Sequence, residues 1–308
     1  MISRTFFRFN TTNTISAETD DESVLDEAVA LCGRYEQLLS RVDPASELYR
    51  LNHAEGRPTR VAPELAAFVE TALRYCREVD GAFDVTMGSA TRLWDFKERR
   101  IPTPADVADA LQHVDYRTVH VDDETVTLRD PQARIDLGGI AKGYIADGIL
   151  ALLRERGVSH ALVNLGGNVA VAGGKPDGNA WSIGIRKPLP SHELPLLDSF
   201  ATLAVRDGSV VTSGIYERAF EQDGTLFHHI LDPRTGFPAR TDVLSATVVA
   251  PTSLDADGYT TALVIMGADR ALAFAEQHPS LEAVVVTNEG DVLATSGIGT
   301  EVPFQLLT

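Results

Sequence analysis

The stretch Ala133–Gly157, ARIDLGGIAKGYIADGILALLRERG, separates a helix-rich first part of the sequence from a strand-rich second part. It predicts an extended segment, a turn at Gly138 and Gly139, and a helix that ends at Gly157. Helical patterns lie before it, and short apolar strand patterns accumulate after it. The sequence therefore predicts an α+β fold in which helices flank a largely β body.

Helices are predicted before this stretch where apolar residues recur at helical spacing. They span about Asp21–Leu39, Pro63–Val79 and Pro104–Val114. Pro104 stands in the first turn of its helix, where its missing N–H does no harm. The acidic turn DDE between TVHV and TVTL then predicts a β-hairpin.

Strand patterns follow Gly157 along most of the remaining chain: HALVNL, NVAVAG, WSIGIR, FATLAVR, SVVTSG, LFHHILD, VLSATVVA, EAVVVTN and DVLAT. Helical patterns at about Leu254–Met266 and Ala268–Gln277 interrupt the later strands. No repeat, low-complexity tract or linker divides the sequence. We therefore expect residues 1–308 to form one intertwined domain without a clean internal boundary.

Composition and charge limit the classes of function. The chain is 44% hydrophobic and 23% charged, as folded proteins are. Its net charge of -17 argues against a nucleic-acid partner and requires that local chemistry or a metal hold any anionic ligand. Cys32 and Cys76 lie in apolar helical patterns, which favours buried thiols. Without a signal-peptide pattern or transmembrane segment, the sequence predicts a cytoplasmic protein.

The segment Leu254–Met266, LDADGYTTALVIM, concentrates hard oxygen ligands at the start of a predicted helix. If the helix begins near Asp255, Asp257 and Thr261 are four residues apart and share one face. Carboxylate and hydroxyl oxygens favour magnesium or calcium. A helix N-cap with acidic residues in the first turn is the alternative, and the sequence leaves both open.

The segment Asp136–Asp147, DLGGIAKGYIAD, is a glycine-rich entrance to a helix. Gly138 and Gly139 permit positive φ or close backbone approach, so N–H groups can meet phosphate or a carbonyl can meet a metal. Asp136 and Lys142 flank this entrance. A plain structural turn is the alternative, and the spacing matches neither the Walker A motif nor the dinucleotide GxGxxG motif.

The segment HHILDPRTGFP places His228 and His229 at the end of a predicted strand. Alternation along a strand sends the two imidazoles to opposite faces, so at most one is expected in a given site. A structural or surface histidine is the alternative. The sequence has no G-x-S-x-G, HExxH or CxxC motif, which excludes the usual patterns of a hydrolase triad or a zinc site.

Two further segments, LVNLGGNVAVAGG and VVTSGIYERAF, are strands that lead into glycines with polar neighbours. These neighbours are Asn164 and Asn168 in the first segment and Thr212, Ser213 and Tyr216 in the second. Separately, such glycines are turns or bulges. Together, the two segments could form backbone-lined walls around a bulky ligand.

Eight segments of the sequence, taken in order, resemble the ApbE family, the FAD:protein FMN transferases also described as flavin-trafficking proteins. The segments are SELYRLN, DGAFDVTMG, LWDF, IDLGGIAKGYIAD, LVNLGGNVAVAGG, VVTSGIYERAF, HHILDPRTGFP and APTSLDADGYTTALVIMG. They span roughly Ser46–Gly267. The resemblance implies T-fold-related mixed sheets flanked by helices. It also implies a Mg²⁺-dependent enzyme that splits FAD, transfers FMN by a phosphoester bond to a threonine or serine of an acceptor flavoprotein, and releases AMP.

The resemblance also implies roles for individual residues. The implied metal ligands are Asp257, Thr260, Thr261 and the backbone carbonyl of Gly139. His229 is implied as the base that takes the proton of the acceptor hydroxyl, a task suited to an imidazole; His228 then has no catalytic role. FAD contacts are implied at Phe83, Asp84, Val85, Thr86, Asp136, Lys142 and Leu231.

The chain departs from the family pattern in its first strand, where Phe9-Asn10-Thr11 replaces the usual Met-Gly-Thr and leaves the flavin contact there open. Two other functions remain as alternatives. With water as acceptor, the same residues give an FAD pyrophosphatase that yields FMN and AMP. A flavin-binding protein without turnover is the other alternative, although a pure binder needs no base at His229.

Overall fold

The structure is a computed structural model of the 308-residue chain and describes residues 1–188 and 199–307. Its helices are α1 (Ser23–Leu39), α2 (Glu47–Asn52), α3 (Pro63–Glu78), α4 (Gly88–Thr91), α5 (Pro104–Leu111), α6 (Ala141–Glu155), α7 (Ser253–Met266) and α8 (Ala268–Gln277). Its strands are β1 (Ile2–Arg8), β2 (Thr11–Ala17), β3 (Thr59–Arg60), β4 (Val119–Asp122), β5 (Thr125–Leu128), β6 (Ala161–Leu165), β7 (Asn168–Ala172), β8 (Trp181–Arg186), β9 (Ser199–Val205), β10 (Gly208–Gly214), β11 (Ala219–Gln222), β12 (Thr225–His228), β13 (Val243–Ala250), β14 (Glu282–Thr287), β15 (Val292–Ala294) and β16 (Phe304–Leu306). The predicted α+β class is confirmed.

The chain forms two compact units, and each is assembled from segments that are separate in the sequence. Unit 1 comprises Met1–Arg34, Ile140–Tyr216 and Thr241–Thr308. Unit 2 comprises Tyr35–Gly139 and Glu217–Arg240. The chain thus passes from unit 2 to unit 1 directly after the Gly-Gly turn that precedes α6.

Unit 1 is built on an eight-stranded sheet with the order β1-β2-β6-β7-β10-β13-β14-β15, whose neighbouring strands are antiparallel. The three-stranded sheet β16-β9-β8 packs apolar side chains against one face of it. Alternation along β10 places Val210 in this apolar layer. Ser209 and Ser213 face the other side, where each forms a hydrogen bond with a residue of α7. The sheet therefore presents buried polar side chains to α7.

A hairpin between β1 and β2 was not predicted from the sequence. Phe9 and Asn10 form its two-residue turn with φ values of 53° and 58°, which type I′ hairpin turns require. The Asn13 amide donates hydrogen bonds to the carbonyl oxygens of Arg8 at 3.1 Å and Thr11 at 3.0 Å. The segment that departs from the Met-Gly-Thr pattern therefore forms this turn and the start of β2.

Unit 2 contains α2 to α5, the three-stranded sheet β3-β5-β4 and the hairpin β11-β12. The predicted β4–β5 hairpin is confirmed, with Val119 opposite Leu128. One buried cluster of this unit consists of Met87, Ala90, Trp94, Ala110 and Leu231. The rings of Phe227 and Phe237 lie 6.1 and 5.7 Å from the Trp94 ring. This cluster fixes the chain that follows β12.

The helices predicted from periodicity are confirmed, and their ends differ from the predicted ends by a few residues. Helix α6 ends before Gly157, which has a φ of 77° as expected of a C-terminal glycine. The six-residue α2 was not predicted because it is too short to show a helical period. Cys32 and Cys76 are buried thiols outside any disulfide. None of the helices in the described ranges has the length and hydropathy needed to cross a membrane.

Candidate active site

Helix α7 begins after the N-cap residue Thr252, whose hydroxyl pairs with the first aspartate of the helix. Thr252 Oγ1 accepts a hydrogen bond from the Asp255 N–H at 3.1 Å and donates one to Asp255 Oδ2 at 2.6 Å. This exchange satisfies a backbone N–H that has no partner within the helix. Asp255 therefore has the capping role that the sequence left open.

Asp257 lies in a different environment. It is 4% exposed, and its Oδ2 accepts a hydrogen bond from the Gly143 N–H of α6 at 2.8 Å. Burial raises the pKa of its carboxyl group, while the positive charge of Lys142, the Gly143 N–H and the Asn168 amide oppose this rise. A cation would offset the free-energy cost of burying this negative charge, so the Asp257 carboxylate is suited to bind a metal ion.

Gly143 makes the approach of α6 to α7 possible. A Cβ atom at this position would lie 2.4 Å from the Ser253 carbonyl oxygen and 2.7 Å from the Asp257 Cβ atom. Any larger residue would push the two helices apart. The glycine therefore permits the hydrogen bond that holds the Asp257 carboxylate.

The two threonines that follow Asp257 differ in their surroundings. Thr260 is fully buried; its hydroxyl donates to the Asp257 carbonyl oxygen at 3.1 Å and accepts from Ser213 Oγ at 2.9 Å. Thr261 is partly exposed and lies one helical turn after Asp257. Asp257 and Thr261 therefore lie on the same face of α7, as predicted.

The donor atoms in unit 1 suit a hard cation that keeps few protein ligands. Across residues 1–188 and 199–307, no three His, Cys, Asp or Glu side chains form a group that could hold a metal ion. Magnesium commonly binds through one or two carboxylates and completes its coordination with water and substrate phosphates. A single buried aspartate with neighbouring hydroxyl oxygens is compatible with that mode.

In unit 2, the predicted FAD-contact loop is held by its own aspartate. Asp84 accepts hydrogen bonds from the Thr86 N–H at 2.7 Å, the Thr86 hydroxyl at 2.6 Å and the Tyr116 N–H at 3.0 Å. Burial raises the pKa of Asp84, and the bonds from Thr86 and Tyr116 oppose the rise. These contacts give Asp84 and Thr86 a role in shaping the loop.

The same loop lies against the glycine-rich turn. The Asp136 N–H donates to the Val85 carbonyl at 2.8 Å, and a Cβ atom at Gly139 would lie 3.3 Å from the Phe83 ring. The Asp136 carboxylate accepts from the Gly138 N–H at 2.9 Å and forms an ion pair with Arg41 at 3.4 Å. Neither glycine has positive φ, so the close approach of Phe83 is the constraint at Gly139. The structure thus brings the predicted FAD-contact positions Phe83–Thr86 and Asp136 together with Gly139.

His228 and His229 differ as strand alternation predicts. His228 is 3% exposed, and its Nε2–H donates to the Ala239 carbonyl oxygen at 3.2 Å. Burial lowers its pKa. His229 is partly exposed, and its backbone N–H donates to the Arg218 carbonyl at 3.0 Å. His229 is therefore the imidazole of this pair that a substrate can reach.

Leu231 follows His229 by two residues and is 6% exposed in the aromatic-rich cluster of unit 2. Trp94, in the same cluster, donates from Nε1 to the Gly236 carbonyl oxygen at 3.1 Å. Leu231 also forms an isolated antiparallel bridge with Pro238. These contacts fix the turn that follows His229.

The sequence pattern of the ApbE family matches residues 9–285 of this chain. The chain belongs to the ApbE family. An FAD:protein FMN transferase of Treponema pallidum is 37% identical over 294 residues, which cover 90% of this chain and 80% of that protein. Another, of Klebsiella pneumoniae, is 37% identical over 281 residues, which cover 90% of this chain and 86% of that protein.

Solved structures of ApbE proteins have the same fold. The crystal structure of the ApbE protein from Thermotoga maritima matches with a TM-score of 0.87 and 28% identity, over 96% of this chain and 97% of that one. The flavin transferase ApbE from Vibrio cholerae matches with a TM-score of 0.84 and 27% identity, over 96% and 97% of the two chains. This chain therefore has the ApbE fold.

The polar residues that surround α7 in this ApbE-family chain were not predicted from the sequence as part of the site. Asn168 and Ser213 were noted only as polar residues beside glycines, although both contact residues of α7. A sequence signal exists for Asn168, because it opens the entirely buried strand NVAVA. A polar side chain in such a strand needs a buried partner, and here Ser253 provides it at 2.6 Å.

Proposed function

We propose that this protein is a Mg²⁺-dependent FAD:protein FMN transferase. It breaks the pyrophosphate P–O bond of FAD, joins the FMN phosphate to a threonine or serine hydroxyl of an acceptor flavoprotein, and releases AMP. The hydroxyl loses one proton as the new P–O bond forms, so the atoms balance. Support comes from relatives named FAD:protein FMN transferase that align with 90% of the chain.

The observation that carries the proposal is the buried Asp257 carboxylate, held at 2.8 Å by the Gly143 N–H. Asp257, Thr261 and the Gly139 carbonyl are the proposed ligands of Mg²⁺, while the buried Thr260 hydroxyl, already bonded to the Asp257 carbonyl oxygen and to Ser213, is proposed to hold the helix beside them. All are hard oxygen donors, and Gly139 is exposed, so the residues fit this ion. When bound, Mg²⁺ neutralises negative charge on the pyrophosphate.

The chain's own residues supply binding and proton transfer. His229 is partly exposed whereas His228 is buried, so His229 is the histidine that we propose as acceptor of the proton from the acceptor hydroxyl. Lys142 places a positive charge near Asp257 and is suited to attract a phosphate oxygen. We propose Phe83–Thr86, Asp136 and Leu231 as further FAD contacts.

The test follows AMP release and acceptor mass together. The protein is incubated with FAD, Mg²⁺ and a fragment of a candidate acceptor flavoprotein. We expect the acceptor to gain the mass of one FMN residue in step with AMP, and chelation of the metal to abolish both. The variant His229→Ala should keep FAD binding, measured by flavin fluorescence, and lose transfer.

The matched control is His120→Ala, which removes an exposed imidazole from β4 and should leave transfer unchanged. Unchanged transfer by His229→Ala would contradict the base assignment. AMP and free FMN without a change in acceptor mass would identify an FAD pyrophosphatase. FAD binding without either product would identify a flavin-binding protein.

A further inference from the structure

Asp147 of α6 caps the N-terminus of α7. Its Oδ1 accepts a hydrogen bond from the Ser253 N–H and its Oδ2 one from the Leu254 N–H, both at 2.8 Å. These are the first two residues of the helix, whose N–H groups have no partner within the helix. Thr252 satisfies the third, that of Asp255. The first turn of α7 is therefore fixed by groups outside the helix.

The capping is reciprocal. Gly143 is the third residue of α6, and its N–H donates to Asp257 Oδ2 of α7 at 2.8 Å. Each helix thus contributes one aspartate whose carboxylate accepts hydrogen bonds from N-terminal N–H groups of the other helix. Because Asp147 and Gly143 lie on the same helix, the contact that holds the start of α7 and the contact that holds the Asp257 carboxylate belong to one rigid element.

A buried polar network supports the same turn from the sheet. Ser253 Oγ donates to Asn168 Oδ1 at 2.6 Å and accepts from Ser209 Oγ at 3.0 Å. All three residues are fully buried. This bond fixes the Asn168 side chain beside the first turn of α7. Ser253 is therefore held by α6 through its backbone and by β7 and β10 through its side chain.

We infer that Asp147 is a positioning residue for cation binding: it sets the place of the first turn of α7 and thereby the place of the Asp257 carboxylate. Both Asp147 oxygens accept backbone N–H bonds, so its role is to orient Asp257 rather than to bind the ion. This inference rests on the proposed function, in which Asp257 is a Mg²⁺ ligand. Residues that orient metal ligands typically contribute about 10–100-fold to metal affinity.

The test measures Mn²⁺ affinity directly, from the electron paramagnetic resonance signal of free Mn²⁺, with and without FAD. The variant Asp147→Asn keeps the size of the side chain but replaces one acceptor oxygen with a donor, so one N–H of α7 loses its partner. We expect the Mn²⁺ dissociation constant and the Mg²⁺ concentration for half-maximal AMP release to rise about 10-fold or more. The KM for FAD at saturating Mg²⁺ should change much less.

Asp255→Asn is the matched control, because it alters a carboxylate in the same turn that caps from the exposed side. The Mn²⁺ affinity of Asp255→Asn should stay within about 2-fold of the wild-type affinity, because removing an N-cap interaction mainly lowers helix stability. All proteins are compared at a temperature at which circular dichroism shows them folded, which separates affinity from stability.

The outcomes separate this inference from the proposed function. Wild-type Mn²⁺ affinity in folded Asp147→Asn overturns the inference and leaves the transferase proposal intact. If the wild-type protein transfers FMN without binding Mn²⁺, both the metal proposal and the positioning role fail. An equal loss of affinity in Asp255→Asn also overturns the inference, because any weakening of the turn would then have the same effect.

Discussion

Asp255 and Asp257 lie two residues apart on α7, yet their carboxylates have unrelated partners. Asp255 Oδ2 accepts from the Thr252 hydroxyl at 2.6 Å, while Asp257 Oδ2 accepts from the Gly143 N–H at 2.8 Å. The two residues differ by about 200° around the helix axis. This explains why Asp255 contacts the exposed N-cap residue Thr252 whereas Asp257 faces α6. Metal binding and capping were alternative interpretations of this segment; Asp255 makes the capping contacts, and Asp257 stays the proposed metal ligand.

Substitution of the two aspartates should separate these roles. Asp257→Asn keeps an oxygen that can accept from the Gly143 N–H, so we expect a folded protein whose Mg²⁺-dependent AMP release falls by at least about 10–100-fold. Asp255→Asn should retain activity and lose only a few degrees of melting temperature. Mg²⁺ titrations of AMP release and thermal unfolding measure the two effects. Equal activity losses in the two variants would refute the assignment.

The adjacent threonines provide a second pair of variants with opposite expected effects. Thr260→Val leaves the Ser213 hydroxyl without its buried acceptor, so we expect it to destabilise the fold by about 1–3 kcal/mol. Thr261→Val removes a proposed ligand from a partly exposed position, so it should weaken Mg²⁺ binding with little change in stability. Thermal unfolding and Mg²⁺ titration are measured for both. Stronger loss of Mg²⁺ affinity in Thr260→Val would exchange the proposed roles.

Gly143 should tolerate no side chain. In Gly143→Ala the new methyl group would overlap the Ser253 carbonyl oxygen, 2.4 Å away, so we expect a loss of about 1–3 kcal/mol in unfolding free energy. Gly33→Ala in α1 is the control, since its nearest neighbour is the flexible Arg8 guanidinium at 3.3 Å. There alanine should stabilise the helix by up to about 1 kcal/mol. Urea unfolding measures both, and a Gly143→Ala protein as stable as Gly33→Ala would show that α6 and α7 do not need this glycine.

The sequence predicted the parts of this fold whose signals are local. Helix α6 was recognised because its apolar residues repeat at helical spacing and Gly157 marks its end. The hydrogen bond between Gly143 and Asp257 joins residues 114 positions apart, so neither segment alone could predict it. The β1–β2 hairpin was missed because Phe9 and Asn10 adopt positive φ without a glycine, the usual sign of such a turn.

The neutral state of His228 should make stability depend on pH. The Ala239 carbonyl accepts from Nε2–H, and within the described ranges buried Nδ1 has no hydrogen-bond partner, so a proton there would bury an unpaired donor and a charge. Burial lowers the pKa from about 6.5. Between that lowered pKa and about 6.5, the unfolded chain binds a proton that the folded chain does not. Stability should therefore be complete above pH 6.5 and fall as the pH drops through this window.

The measurement compares melting temperatures at pH 7.5 and 5.5. We expect the wild-type protein to melt lower at pH 5.5, and His228→Gln to show a smaller difference between the two pH values whatever its absolute stability, because glutamine does not titrate. His120→Gln, which changes an exposed histidine, should keep the wild-type difference. If His228→Gln keeps the full wild-type difference, the acid sensitivity originates elsewhere and the buried neutral imidazole does not limit stability.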